Sequence, residues 1–173
     1  WPEDYEFMGV DFARRGKRMD ECMDIFRGLT SGEYFEFHGE FYDIPRIKMT
    51  PAPTEPIPLL VGGHADAALR RAVVRGDGWM HGGGPAEELD ALLDKITDIR
   101  KAEGKLNAPF EIHVISLDAY TVDGCKRLED KGITDVIVGF RLPYVMGDDT
   151  EPLQTKIDHL NSYADNVIAK VNR

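Results

Sequence analysis

The sequence predicts an α/β fold on parallel strands, and three observations carry that prediction. Residues 57–79, IPLLVGGHADAALRRAVVRGDGW, read as strand, glycine turn, helix and second strand. Units of this kind repeat, four in all, from residue 59 to residue 173. Leu59, Leu60 and Val61 form a continuous apolar run without alternation, as a strand buried on both faces of a parallel sheet requires.

In chain order, Trp1-Pro2-Glu3-Asp4-Tyr5 reads as a polar entry loop. From Phe12 to Ser31, Met19, Cys22, Met23, Phe26 and Leu29 fall at helical spacing, and Gly32 is placed to end the helix. Tyr34, Phe35, Phe37, Phe41, Tyr42 and Ile44 flank His38-Gly39-Glu40, the pattern of an aromatic hairpin with glycine in the turn. Such a hairpin either plugs one end of the fold or covers a subunit contact, or it serves as a cofactor platform. Pro51, Pro53, Pro56 and Pro58 make residues 49–58 a stiff, extended connector.

After the strand at Leu59, the helix from Asp66 to Arg75 ends at Gly76, and Gly78-Trp79-Met80-His81 is a short second strand closed by three glycines. Pro85 sits at a first helical position, Glu87 and Glu88 complement the helix dipole, and Leu89, Leu92, Leu93, Ile96 and Ile99 trace an apolar stripe. Phe110 to Tyr120 reads as a strand, Gly124 to Lys131 as a short helix, and Thr134 to Phe140 as a buried strand. The last helix puts Leu153, Ile157, Leu160, Ala164, Val167, Ile168 and Val171 on one face.

The chain thus divides as one domain, 1–173, into an entry loop and helix (1–32), a hairpin and proline-rich connector (33–58) and four strand-helix units (59–173). Four units are half of an eight-stranded barrel. Two open strand edges and an apolar inner face call for pairing with a missing N-terminal half or with a second copy, so a homo-oligomer is expected. A start at Trp1 without Met points to a fragment of a longer chain.

Thirty-one acidic against 21 basic residues give a formal charge of −10, which disfavours nucleic acid and acidic membrane surfaces as partners. No apolar run approaches the roughly 18 residues that span a bilayer. Cys22 and Cys125 have no metal-ligand spacing and read as buried thiols in a reducing compartment, so a cytoplasmic protein without a metal site is expected. His38, His113 and His159 read as structural.

Gly62 and Gly63 open directly into an alanine-rich helix, so free N–H groups and the positive helix end converge where a phosphate can sit. Over its whole length, IPLLVGGHADAALRRAVVRGDGW resembles the phosphate-loop segment of the luciferase-like monooxygenase family, flavin- or deazaflavin-dependent (β/α)8 TIM barrels. The resemblance extends to DFARRGKRMDE and covers that family's C-terminal half. It implies an oxidoreductase that transfers a hydride to or from a small-molecule substrate with coenzyme F420 or FMN. Two alternatives are an FMN-dependent monooxygenase acting with molecular oxygen, and a non-catalytic truncated barrel that binds a phosphate ligand or only self-associates.

Ligands of a parallel barrel gather at the C-terminal strand ends, which selects Gly62, Gly63, His64, Trp79, Met80, His81, Ser116, Asp118, Phe140 and Arg141. The resemblance implies cofactor binding by Gly62, Gly63, His64, Ala65, Gly78 and Trp79. His64 either adds a hydrogen bond to phosphate or caps the helix. Trp79 either lines the pocket or fills the core. His81 is the one catalytic candidate, as a proton donor beside the cofactor ring, with a packed imidazole as the alternative. Asp77 is expected to bind local backbone N–H groups. Arg141 either meets a charged ligand tail or forms a surface ion pair. Ser-His-Asp groupings, a Walker loop and a GxGxxG fingerprint are lacking, so hydrolase, kinase and Rossmann readings lose support.

Overall fold

The computed structural model describes residues 1–141 and 146–171. Its centre is a parallel sheet of β3 (Leu60–Gly62), β4 (Gly78–His81), β5 (Glu111–Ile115) and β6 (Asp135–Ile137), ordered β3-β4-β5-β6. Consecutive parallel strands need a crossover, and here each is a helix: α3 (Asp66–Arg75), α4 (Ala86–Ala102) and α5 (Val122–Asp130), with α6 (Leu153–Tyr163) following the last strand. Upstream lie α1 (Pro2–Phe7), α2 (Arg15–Thr30) and the antiparallel hairpin of β1 (Phe35–His38) and β2 (Asp43–Ile47). The register of β1 on β2 shifts between Phe35 and Phe37, where Pro45 of the facing strand has no N–H to give.

Each strand turns one face to the helices. Trp79, Ile112 and Val114 are buried there against Leu69, Ala72 and Val73 of α3 and Leu89, Leu92, Leu93 and Ile96 of α4, with Val61 partly buried beside them. The alternate residues point the other way, and Met80, Ile115 and Ile137 on that face are 38%, 42% and 36% exposed. This corrects the expectation of strands buried on both faces: Leu60, Val61, Asp135 and Ile137 are half-buried or exposed because the helices of this chain cover one side only. The four strands form an open partial sheet.

Other expectations are corrected locally. The entry loop is helical, because Pro2 occupies the first turn, where no N–H is needed, and the Trp1 amine pairs with Asp4 at 3.0 Å. The long helix starts at Arg15 after a 3-10 turn over Phe12–Arg14, capped by Asp11, which accepts from the Ala13 amide at 2.8 Å. Pro85 is the N-cap of α4 rather than its first residue. The strand expected through Tyr120 stops at Ile115, since Ser116 caps a 3-10 turn over Leu117–Tyr120. The last helix does not bury one stripe: a π-helical turn at Ala164–Ile168 shifts its register before α7 (Ala169–Val171). Val167 is buried while Leu153 and Leu160 are exposed.

Two ion pairs fix α2 on α3: Arg71 Nε donates to Asp20 at 2.6 Å and Arg75 Nη1 to Asp24 at 2.6 Å. Asp77 accepts from the Leu59 amide at 2.7 Å, which ties the connector to the start of β4 as the sequence suggests. Both cysteines are free and half-buried rather than buried; Cys125 donates to the Ala119 carbonyl, and burial pushes its thiol pKa up. Among the described residues no helix is long and apolar enough to cross a membrane.

Candidate functional site

Gly62 ends β3, and the next three residues turn the chain into α3. Gly63 makes this turn at φ +113°, a backbone state that side chains rarely adopt, and a Cβ on it would lie 3.1 Å from that of Ala68. Ala65 is the N-cap, with its carbonyl accepting from Ala68 and Leu69. Among the described residues the amides of Gly63, His64 and Ala65 donate to no acceptor. Three unspent donors at the positive end of a ten-residue helix are an arrangement that favours negative charge.

Trp79, from the middle of β4, lies beneath this turn. Its ring is fully buried, and its Nε1 donates to the Gly63 carbonyl at 2.9 Å. His64 folds over it, with Nδ1 3.0 Å from Glu88 Oε1 in the first turn of α4. Next to both, the His81 ring stacks on His64 with centroids 4.9 Å apart and planes 11° from parallel. The Trp79 and His81 rings are 5.5 Å apart.

His81 is 1% exposed, and neither ring nitrogen meets a hydrogen-bond partner among the described residues. Burial, and secondarily the field of His64, push its pKa below the ordinary histidine value; the Ile115 main chain and Glu88 oppose that shift. The imidazole is therefore held neutral. It shares the helix-facing side of β4 with Trp79, opposite the side that carries Met80.

A groove of about 650 Å³ runs along β3 to the turn, between Tyr5, Arg15, Met19 and Arg71 and the segment from Leu59 to Ala65. Arg15 and Arg71 give this wall positive charge, though Arg71 is shared with Asp20.

The structure thus brings Gly62, Gly63, His64, Ala65, Trp79 and His81 together. Gly78 stands apart, at the opposite end of β4 beside Glu111 of β5: a Cβ there would lie 2.5 Å from the Glu111 carbonyl oxygen. Its lack of a side chain serves strand approach. Ser116 is occupied as a cap, and Asp118 is held below the usual carboxylate range by the hydrogen bond from Arg127 at 2.6 Å. Phe140 packs on Tyr163 and His159, and Arg141 donates to the Gly147 carbonyl at 3.2 Å.

Sequence reasoning connected neither Glu88 nor Arg15 to the turn, because Glu88 is read there as a dipole partner and Arg15 only as part of the stretch DFARRGKRMDE. It also left His113 without partners. In the sheet His113 Nε2 lies 3.0 Å from Glu111 Oε2 and 3.2 Å from Asp135 Oδ2. The i, i+2 spacing of Glu111 and His113 was a usable signal; Asp135 enters only through the register of β6 on β5.

The family model described as luciferase-like monooxygenase matches residues 2–162. An uncharacterized protein of Mycobacterium tuberculosis is 73% identical over 171 residues, which is 99% of this chain and 59% of the relative. The chain therefore spans about 59% of the length of such relatives. An F420-dependent glucose-6-phosphate dehydrogenase of Nakamurella multipartita is 31% identical over 110 residues, 62% of this chain and 30% of its own. Among solved structures, the coenzyme F420 dependent tetrahydromethanopterin reductase of Methanopyrus kandleri superposes with a TM-score of 0.71, covering 95% of this chain and 70% of that one at 13% identity. At that identity the likeness is one of fold.

Proposed function

The chain belongs to the luciferase-like monooxygenase family, and from that membership we propose that it serves a flavin- or deazaflavin-dependent oxidoreductase whose cofactor phosphate sits on Gly62, Gly63, His64 and Ala65. The observation that carries this reading is the set of three unspent amides at the start of α3, opened by a glycine at φ +113°, a backbone state that side chains rarely adopt. Coenzyme F420 and FMN both carry a phosphate that this cradle fits. The F420-dependent relative from Nakamurella multipartita supports the deazaflavin.

Bound, the ring would supply the hydride chemistry for an organic substrate, and the protein would supply orientation and field. The backbone amides hold the phosphate by donation. Trp79 fixes the peptide of Gly63 by its indole N–H, so the amides stay aimed without reorganising. His64, with Nδ1 engaged by Glu88, would donate from its other ring nitrogen to a phosphate oxygen in its doubly protonated form. His81 supports that ring from below, as a positioning residue rather than the proton donor. Arg15, beside the turn, attracts further anionic parts of a ligand along the groove.

The test is a fluorescence titration with F420 and with FMN of the chain and of Gly63→Val, with circular dichroism to verify folding. Binding that weakens tenfold or more in the variant is expected. Equal affinity in a folded variant removes the assignment.

A further inference from the structure

We propose that Glu111, His113 and Asp135 form a binding site for one divalent transition-metal cation on the open face of the sheet. This face is the one opposite Trp79 and His81, so the site is separate from the phosphate turn.

One donor atom from each of the three residues lies within 4.8 Å of the other two. Metal bonds to imidazole nitrogen and carboxylate oxygen of about 2.0–2.2 Å place neighbouring ligand atoms roughly 3–3.5 Å apart. The 3.0 Å and 3.2 Å separations from His113 Nε2 to the two carboxylates are already of that order. The scaffold is stiff for the same reason that the site was illegible: Glu111 and His113 are i, i+2 on β5, and Asp135 is the register partner of His113 on β6.

Charge argues in the same direction. Among the described residues neither Glu111 nor Asp135 pairs with a lysine or arginine; each faces the same histidine nitrogen. A neutral imidazole has one Nε2–H and can give it to one carboxylate only, which leaves the other carboxylate beside a like charge with no side-chain donor among the described residues. A divalent cation accepts all three groups and balances both carboxylates. One imidazole and two carboxylates suit Zn²⁺, Mn²⁺, Fe²⁺ or Co²⁺ better than cations that take oxygen or thiolate sulfur alone. Three protein ligands would leave coordination positions open to solvent or substrate, as the exposure of His113 (21%) and Asp135 (54%) allows.

The experiment is calorimetric titration of chelator-treated chain with Zn²⁺ alone and with Mn²⁺ alone, repeated on Glu111→Gln, His113→Gln and Asp135→Asn. His38→Gln removes a second histidine beside a carboxylate, Asp43, and serves as control. One ion per chain is expected, with affinity at least about tenfold weaker for each lost ligand and unchanged in the control, since even groups that only orient metal ligands cost 10- to 100-fold. Lack of saturable binding, or binding equally strong in all three variants, overturns the site. Should Asp135→Asn or His113→Gln fail to fold, Glu111→Gln decides alone, because it keeps the side chain's shape and, among the described residues, its half-exposed carboxylate pairs with His113.

Discussion

The imidazoles of His64 and His81 lie 4.9 Å apart and nearly parallel, one half-exposed at the helix turn and the other sealed beneath it. With the rings stacked in this way, the field of His64 raises the cost of a proton on His81. Burial, then His64, hold His81 below its ordinary value of 6.5. The unfolded chain therefore takes up a proton that the folded chain refuses. The stability from neutral His81 is complete above about pH 6.5 and falls as the pH drops toward the lowered folded value.

Acid should accordingly loosen this corner first. Urea midpoints between pH 8 and pH 5 are expected to fall more steeply for the native chain than for His81→Leu, in which the buried base is gone. Parallel slopes would mean that His81 is solvated. His38, raised by Asp43, runs the other way and is common to both proteins, so it cancels in the comparison.

Trp79 joins core to turn, and its replacement by Phe should show both losses. The variant gives up the 2.9 Å bond to the Gly63 carbonyl and part of a fully buried ring, together about 1–3 kcal/mol of stability. Hydrogen exchange at Ala68 and Leu69, whose amides donate to the Ala65 carbonyl, is expected to quicken beyond what the global loss explains. If the turn keeps its native protection, the indole only fills space.

The two glycines at the ends of this region should separate cleanly. A Cβ on Gly78 meets the Glu111 carbonyl oxygen at 2.5 Å, so Gly78→Ala must push β4 from β5 and should cost about 1–3 kcal/mol. A Cβ on Gly62 would meet nothing nearer than the Met80 carbonyl oxygen at 4.0 Å. Gly62→Ala should fold normally, and melting curves for the pair distinguish them. Equal melting temperatures would mean that β4 and β5 adjust without strain.

What the sequence made legible follows from where each signal resides. Helix α4 announces itself because Leu89, Leu92, Leu93 and Ile96 bury one stripe of a single segment, and the Gly62–Gly63 turn because strand, glycine and helix are contiguous. Cover is different: an apolar run such as Thr134 to Phe140 states that a strand can be buried, not that this chain supplies both layers, and so β6 emerged exposed. The site divides likewise. Gly62 to Ala65 could be read in a row, whereas Glu88 reaches His64 and Asp135 reaches His113 only through packing and register. The π-helical turn has no local residue signature at all.

The open face makes the last prediction. Met80, Ile115 and Ile137 stand 36–42% exposed on it, and β3 and β6, three residues each, leave the sheet with an edge on either side that no strand among the described residues pairs. Soluble monomers blunt such edges with charge, proline or a covering element. Here Asp135 and Glu111 place charge on the face but not along the outer edge of β3, where Leu60 and Val61 are half-buried. The chain is therefore expected to associate with itself, or with a chain that supplies further strands, and to bind a hydrophobic dye until it does. Light scattering over a concentration series measures the first and dye fluorescence the second. Met80→Lys and Ile137→Lys, which put charge into the exposed face without touching the buried one, should shift the chain toward monomer and reduce dye binding. A monodisperse native monomer that leaves the dye dark would show that this face is already covered within the chain, and would refute the open sheet.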